Sequence, residues 1–183
     1  MSEAVDRYTH LADEFAKRVE ATPDDRWDAP SPNPGWTARD VVAHIVDSQR
    51  RLVGALDGTE PETGIAAGVD PKAAWRESYA AVREALAQPA NLEKQVPGPM
   101  GPMPVDMAVG RIASTDVLIH TWDLARATGG DEQLDADAVA HAYEGLKPLD
   151  AMIRRPGLFG DKVDVPEGAD LQTEFLCFVG RKP

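Results

Sequence analysis

Cysteine is almost missing from this chain of 183 residues: there is one, Cys177. An internal disulfide is therefore impossible, and so is a CxxC-type metal knuckle. Basic residues are also scarce, with 19 Lys and Arg against 31 Asp and Glu, for a formal net charge of -12. Such a surface repels phosphate backbones and anionic lipid headgroups, so neither nucleic acid nor a membrane is an expected partner. No apolar run approaches the roughly 18 residues that a membrane span needs. The opening MSEAVDRYTH has neither the basic stretch nor the apolar core of a secretory leader. A cytoplasmic protein is the expectation. P-loop, dinucleotide and nucleophile-elbow signatures are absent as well, which removes the common phosphate-binding and serine-hydrolase chemistries.

What remains is a globular composition, 43% hydrophobic and 27% charged, with enough length for one sizeable core. We expect a single domain over residues 1–183. Val5, Tyr8, Leu11, Ala12, Phe15 and Val19 recur at helical spacing and predict a first helix over 3–20. Residues 22–36 hold four prolines and a glycine and read as an ordered loop. Thr37, with Asp40 three residues on, predicts a capped helix start. That helix runs to Asp57, where Gly58 ends it. Asp70-Pro71 starts a third helix, to about Gln88, after a 58–70 loop. PGPMGPMP, residues 97–104, cannot be helical and reads as a turn or short hairpin over a site. A fourth helix is predicted over 105–127, and a fifth from its cap Asp135 to Ile153. Residues 154–170 read as irregular, and 171–179 as a last short helix or turn. The fold class is all-α: a four-helix bundle with long connections and a short C-terminal extension.

Chemistry concentrates on two of these helices. At about 100° per residue, Val105, Val109, Ile112 and Ala113 share one face of the fourth helix with Asp116, His120 and Asp123. A buried carboxylate needs a partner, a hydrogen bond or a metal. Asp116 and His120 are one turn apart, the spacing by which a helix presents two ligands to one ion. His44, at the edge of the apolar stripe of the second helix, supplies a third ligand from another element. A set of two histidines and one aspartate leaves coordination positions open, as catalytic sites do. Its chemistry suits zinc or nickel, and also Fe(II) or Mn(II). Asp40, Asp47 and Asp123 are candidates for orienting a ligand imidazole. Competing readings stay open: a local Asp116–His120 hydrogen bond, or a pair between Asp116 and Arg111 or Arg126. His10 and His141 read as surface or capping groups. Cys177 and the four tryptophans read as packing residues, with Trp36 a staple against Val41.

The stretches GWTARDVVAHIVDS and STDVLIHTWDLARATG resemble the DinB-like, mycothiol-dependent maleylpyruvate isomerase superfamily, in its small actinobacterial metal-binding branch. WDAPSPNPGWT and the ending LFGDKVDVPEGADLQTEFLCFVGR fit the same branch. The resemblance implies a DinB-like helical bundle with a divalent metal on His44, Asp116 and His120. It implies mycothiol as the low-molecular-weight thiol, a small electrophile as substrate, and a homodimer. The isomerase carries glutamate where this chain has Asp116. The function expected is a metal-dependent, thiol-linked transferase or isomerase. The alternative is a non-catalytic metal-binding bundle of stress response or dimerisation.

Overall fold

The computed structural model describes residues 2–99, 101–154 and 159–183. Helix α1 (Glu3–Ala21) starts where the Ser2 hydroxyl accepts from the Val5 N–H, and Glu3 and Asp6 in its first turn complement the helix dipole. Helix α2 (Ala38–Asp57) starts at Thr37 and ends at Gly58, whose φ of 70° is left-handed. Helix α3 (Pro71–Leu86) is capped by Asp70 with proline in its first turn. A single turn, α4 (Pro89–Leu92), leads into a two-stranded antiparallel hairpin of β1 (Gln95–Val96) and β2 (Met103–Pro104), as expected for this proline-rich stretch. Its Met100 lies outside the described residues.

The expected fourth helix forms as three joined pieces: α5 (Val105–Met107), a π-helical turn (Ala108–Ala113) and α6 (Ser114–Thr128). The π turn takes an extra residue and so rotates everything beyond it. The Ser114 hydroxyl reaches back five residues to the Val109 carbonyl, at 2.9 Å. Ile112, expected on the core face, is therefore 42% exposed, and Ser114 takes the inward position.

The expected fifth helix is broken. Helix α7 (Ala136–Leu146) begins at Asp135 as foreseen, but gives way to a 3-10 turn (Lys147–Leu149) and a last turn, α8 (Asp150–Ile153). Pro148 has no N–H to donate and clashes with the carbonyl four residues back, so one straight helix cannot pass it. The irregular stretch that follows includes residues 155–158, outside the described set. Helix α9 (Leu171–Phe178) closes the chain, capped by Asp170.

The core is a four-helix bundle. Both α1 and α2 pack against α3 and α6, so α1 and α2 stand at opposite corners. The stripe Val5, Tyr8, Leu11, Ala12, Phe15 and Val19 is buried, along with Trp75 and Trp122. Burial of apolar area of this kind is the main stabilising term. Outside the four, α9 packs on α7 through Phe175 and Phe178 against Tyr143. Cys177 is buried there, as its apolar neighbours suggested.

Candidate metal centre

Local chemistry aims α2 before any tertiary contact forms. The Asp40 carboxylate accepts from the Thr37 N–H (2.8 Å) and hydroxyl (2.7 Å), while the Thr37 hydroxyl accepts from the Asp40 N–H (3.3 Å). This capping box fixes the first turn, and His44 follows about two turns on. The preceding loop is folded on itself by Ser31 N–H to Trp36 O (2.8 Å) and Trp36 N–H to Asn33 O (3.0 Å).

His44 and the α6 residues Asp116 and His120 meet. The His44 Nε2 lies 3.1 Å and 3.3 Å from the two Asp116 carboxylate oxygens. The His120 Nε2 lies 3.4 Å from Asp116 Oδ1. One ligand atom from each residue lies within 4.8 Å of the others. On a tetrahedral zinc with bonds of about 2.05 Å, neighbouring ligand atoms stand about 3.4 Å apart. Two edges of such a set are already at that length, and the atoms are imidazole nitrogen and carboxylate oxygen. The donor set fits a divalent ion. His44 and Asp116 side chains are 31% and 30% exposed, whereas His120 is 7% exposed. The cluster thus opens to solvent on one side.

Electrostatics bind the cluster tightly. Burial works to raise the Asp116 pKa, but hydrogen bonds with His120 and His44 outweigh it and hold the carboxyl well below the usual range. Burial works to lower the His120 pKa, but Asp116 and Asp123 outweigh it and carry the imidazole up to about 9.

Of the three aspartates expected to orient a ligand, only Asp123 touches an imidazole. Its Oδ2 accepts from His120 Nδ1 at 2.9 Å. Asp40 is used by the cap. Asp47 accepts from the Gly64 N–H (2.7 Å) while Arg50 donates to the Gly64 carbonyl (2.8 Å), so that pair clamps the 58–70 loop onto α2. Arg126 pairs with Glu132 at 2.8 Å and lies over Trp122 rather than reaching Asp116. His10 sits on the α7 cap Asp135 at 3.1 Å, and His141 meets Arg7.

Two residues escaped the sequence reading. Trp36, expected as a staple, stacks on His120 (ring centroids 5.7 Å apart, planes at 18°) and tilts against His44 (5.1 Å). Its position beside the cap was a weak hint. Arg181 reaches Asp123 from the end of the chain, through Nε at 2.9 Å and Nη2 at 2.7 Å. Nothing local to Arg181 signals that contact.

Two curated proteins of Mycobacterium tuberculosis, the uncharacterized proteins Rv0738 (strain ATCC 25618 / H37Rv) and MT0763 (strain CDC 1551 / Oshkosh), are each 30% identical over 173 residues, covering 92% of this chain and 92% of theirs. Among solved structures, the mycothiol-dependent maleylpyruvate isomerase matches with a TM-score of 0.60 at 16% identity, over 84% of this chain and 69% of that one. A histidine-to-alanine mutant of that isomerase matches with a TM-score of 0.62 at 15% identity, with the same coverage. At those identities the likeness establishes the all-α fold. Residues 8–125 match the family described as the mycothiol maleylpyruvate isomerase N-terminal domain, and the chain belongs to that family.

Proposed function

We propose that this chain holds one divalent ion, zinc or nickel, on His44, Asp116 and His120, and works with a low-molecular-weight thiol of the mycothiol type on a small electrophile, by transfer or isomerisation. The observation that carries the reading is the convergence of three ligand atoms from two helices on one half-open point, within 4.8 Å of each other. A bound divalent ion supplies positive charge that lowers the pKa of a thiol or water beside it.

The chain's own residues set the terms. His120 is held from behind by Asp123, which fixes its ring before any ligand arrives. Trp36 stacks on the His120 ring and tilts against the His44 ring, so it helps to hold both imidazoles in place. With ligating imidazoles neutral, the carboxylates of Asp116 and Asp123 against the Arg181 guanidinium leave one negative charge. A divalent cation turns that into one positive charge, which favours a single anion on the open side. A thiolate satisfies that balance and a neutral thiol does not. The family name and the mycothiol dependence of the structural neighbour favour the thiol as that anion's source.

Elemental analysis of protein purified without chelator or a histidine tag tests the reading, with His44→Ala and His120→Ala beside it. About one divalent ion per chain, lost in both variants, is expected. If zinc and nickel both fail to raise the thermal stability of the wild type, the reading is wrong. An ion that binds without supporting thiol transfer to any small electrophile would leave a non-catalytic metal bundle.

A further inference from the structure

Asp123 is wholly buried, 0% exposed, in the middle of α6. A carboxylate there needs compensation. It receives three charge-assisted hydrogen bonds: one from His120 Nδ1 and two, through both oxygens, from Arg181. The Arg181 side chain is 11% exposed. Together these hold the Asp123 carboxyl below its ordinary pKa although burial opposes it.

The Arg181 backbone is set by α9, not by the bundle. Its N–H closes the end of that helix on the Leu176 carbonyl at 2.8 Å. Gly180 takes φ +84°, and a Cβ there would stand 2.9 Å from the Asp161 carbonyl oxygen, so no other residue passes this point without strain. Helix α9 is docked in turn by Phe175 and Phe178 on Tyr143. A guanidinium is thus delivered to the back of His120 by an element that shares no ligand with the centre.

We infer that Arg181 is a positioning residue of the centre: its two-pronged grip holds the Asp123 carboxylate against His120 Nδ1, which fixes the His120 ring with Nε2 at the ligand point beside Asp116, and it thereby couples docking of α9 to metal binding. The inference rests on the metal reading above. An ionised carboxylate only accepts hydrogen bonds, so its partner nitrogen must be N–H. Without the guanidinium, the Asp123 side chain loses the two hydrogen bonds that set its position, and the His120 ring loses a fixed partner. Coupling is reciprocal in free energy: whatever factor α9 docking adds to metal affinity, the metal adds to α9 docking.

The test uses the full chain with zinc alone, as wild type, Arg181→Lys, Arg181→Ala and Asp123→Asn. Zinc affinity is read by competition with a chromophoric chelator. Protection of α9 is read by hydrogen exchange with and without zinc. Arg181→Ala is expected to weaken zinc about 10- to 100-fold, as loss of an outer partner does. Arg181→Lys should recover part of it, since a lysine restores charge but not the two-pronged fork. Zinc should protect the 171–178 amides in the wild type and not in Arg181→Ala. If Arg181→Ala does not fold, Asp123→Asn, which keeps shape and removes charge, carries the same expectation. Arg181 and Asp123 variants with wild-type zinc affinity and wild-type zinc-dependent protection of the 171–178 amides would overturn the inference and leave the metal reading standing. A wild type that binds no zinc overturns both.

Discussion

Tyr8, Gln49 and Ser78 form one polar cluster inside the bundle, and His44, Asp116 and His120 form another. In the first, Gln49 donates to the Tyr8 hydroxyl at 2.9 Å and Ser78 donates to the Gln49 carbonyl oxygen at 2.6 Å. All three side chains are neutral and buried, and they tie α1, α2 and α3 together. Burial, partly offset by the Gln49 hydrogen bond, pushes the Tyr8 phenol up to about 12, so it stays protonated. The second cluster is charged, lies one to two turns away along α2, and opens to solvent through His44 and Asp116. A closed neutral network satisfies its own donors at little electrostatic cost. A charged cluster in a core requires desolvation of ions, and here Arg181, just beyond the end of α9, supplies compensation. Folding alone does not call for that arrangement, and charged groups gathered at an opening are what the proposed metal reading uses.

Variants separate the two clusters. The largest effect is expected from His120→Ala: bound zinc should vanish from elemental analysis, with affinity down by more than about 100-fold, while the Tyr8 network is untouched. Retention of stoichiometric zinc would show that the ion sits elsewhere. Next comes Gln49→Leu, which strands the buried Tyr8 hydroxyl and leaves Ser78 only its bond to the Trp75 carbonyl (3.2 Å), and should cost about 1–3 kcal/mol in urea unfolding. Zinc content should not change; if it does, the clusters are coupled across α2.

Acid should act on the two clusters differently. His120 has a folded pKa raised from 6.5 to about 9, so its pairing stabilises the metal-free chain fully below pH 6.5, and that contribution is lost as pH rises through about 9. Zinc must expel the same proton, so its affinity should climb by up to about tenfold per pH unit below 9 and then level off. A flat profile in a chelator competition between pH 6 and 9 would contradict the assignment of His120 as a ligand. The Tyr8 network has no titration in that window and should leave urea midpoints of a His120→Ala chain level. The smallest effect is expected outside both clusters, from Asp135→Ala, a loss of about 1 kcal/mol through the α7 cap. Its folded pKa is lowered, chiefly by the Ala138 N–H, so this contribution is present above the ordinary carboxylate pKa and lost as pH falls through the folded value. Thermal melts at pH 7 and pH 3 of wild type and variant should converge at the lower pH.

Much of this molecule was legible because its signals are local. Ser2, Thr37, Asp70, Asp135 and Asp170 cap helices within three residues of themselves. The buried stripe of α1 follows from spacing alone. Asp116 and His120 were paired by the pitch of one helix, and His44 by its place at a stripe's edge. Pro148 was a local signal too, passed over because the apolar spacing ran on through it. The phase of α6 was not legible. A wheel assumes 3.6 residues per turn, and the π turn at Ala108–Ala113 breaks that assumption where α5 and α6 join.

The amino-acid sequence by itself determined the capped starts of α2, α3 and α7, the all-α class and the residue types that could gather at one point. Only the tertiary structure decided that Trp36 lies on the two imidazoles, that Asp47 holds the 58–70 loop through Gly64, and that Arg181 stands behind Asp123. The reason is distance along the chain. Caps and periodicity act within a turn or two, where chain connectivity brings groups together at almost no entropic cost. A guanidinium meets a carboxylate 58 residues away only after packing has closed the intervening chain.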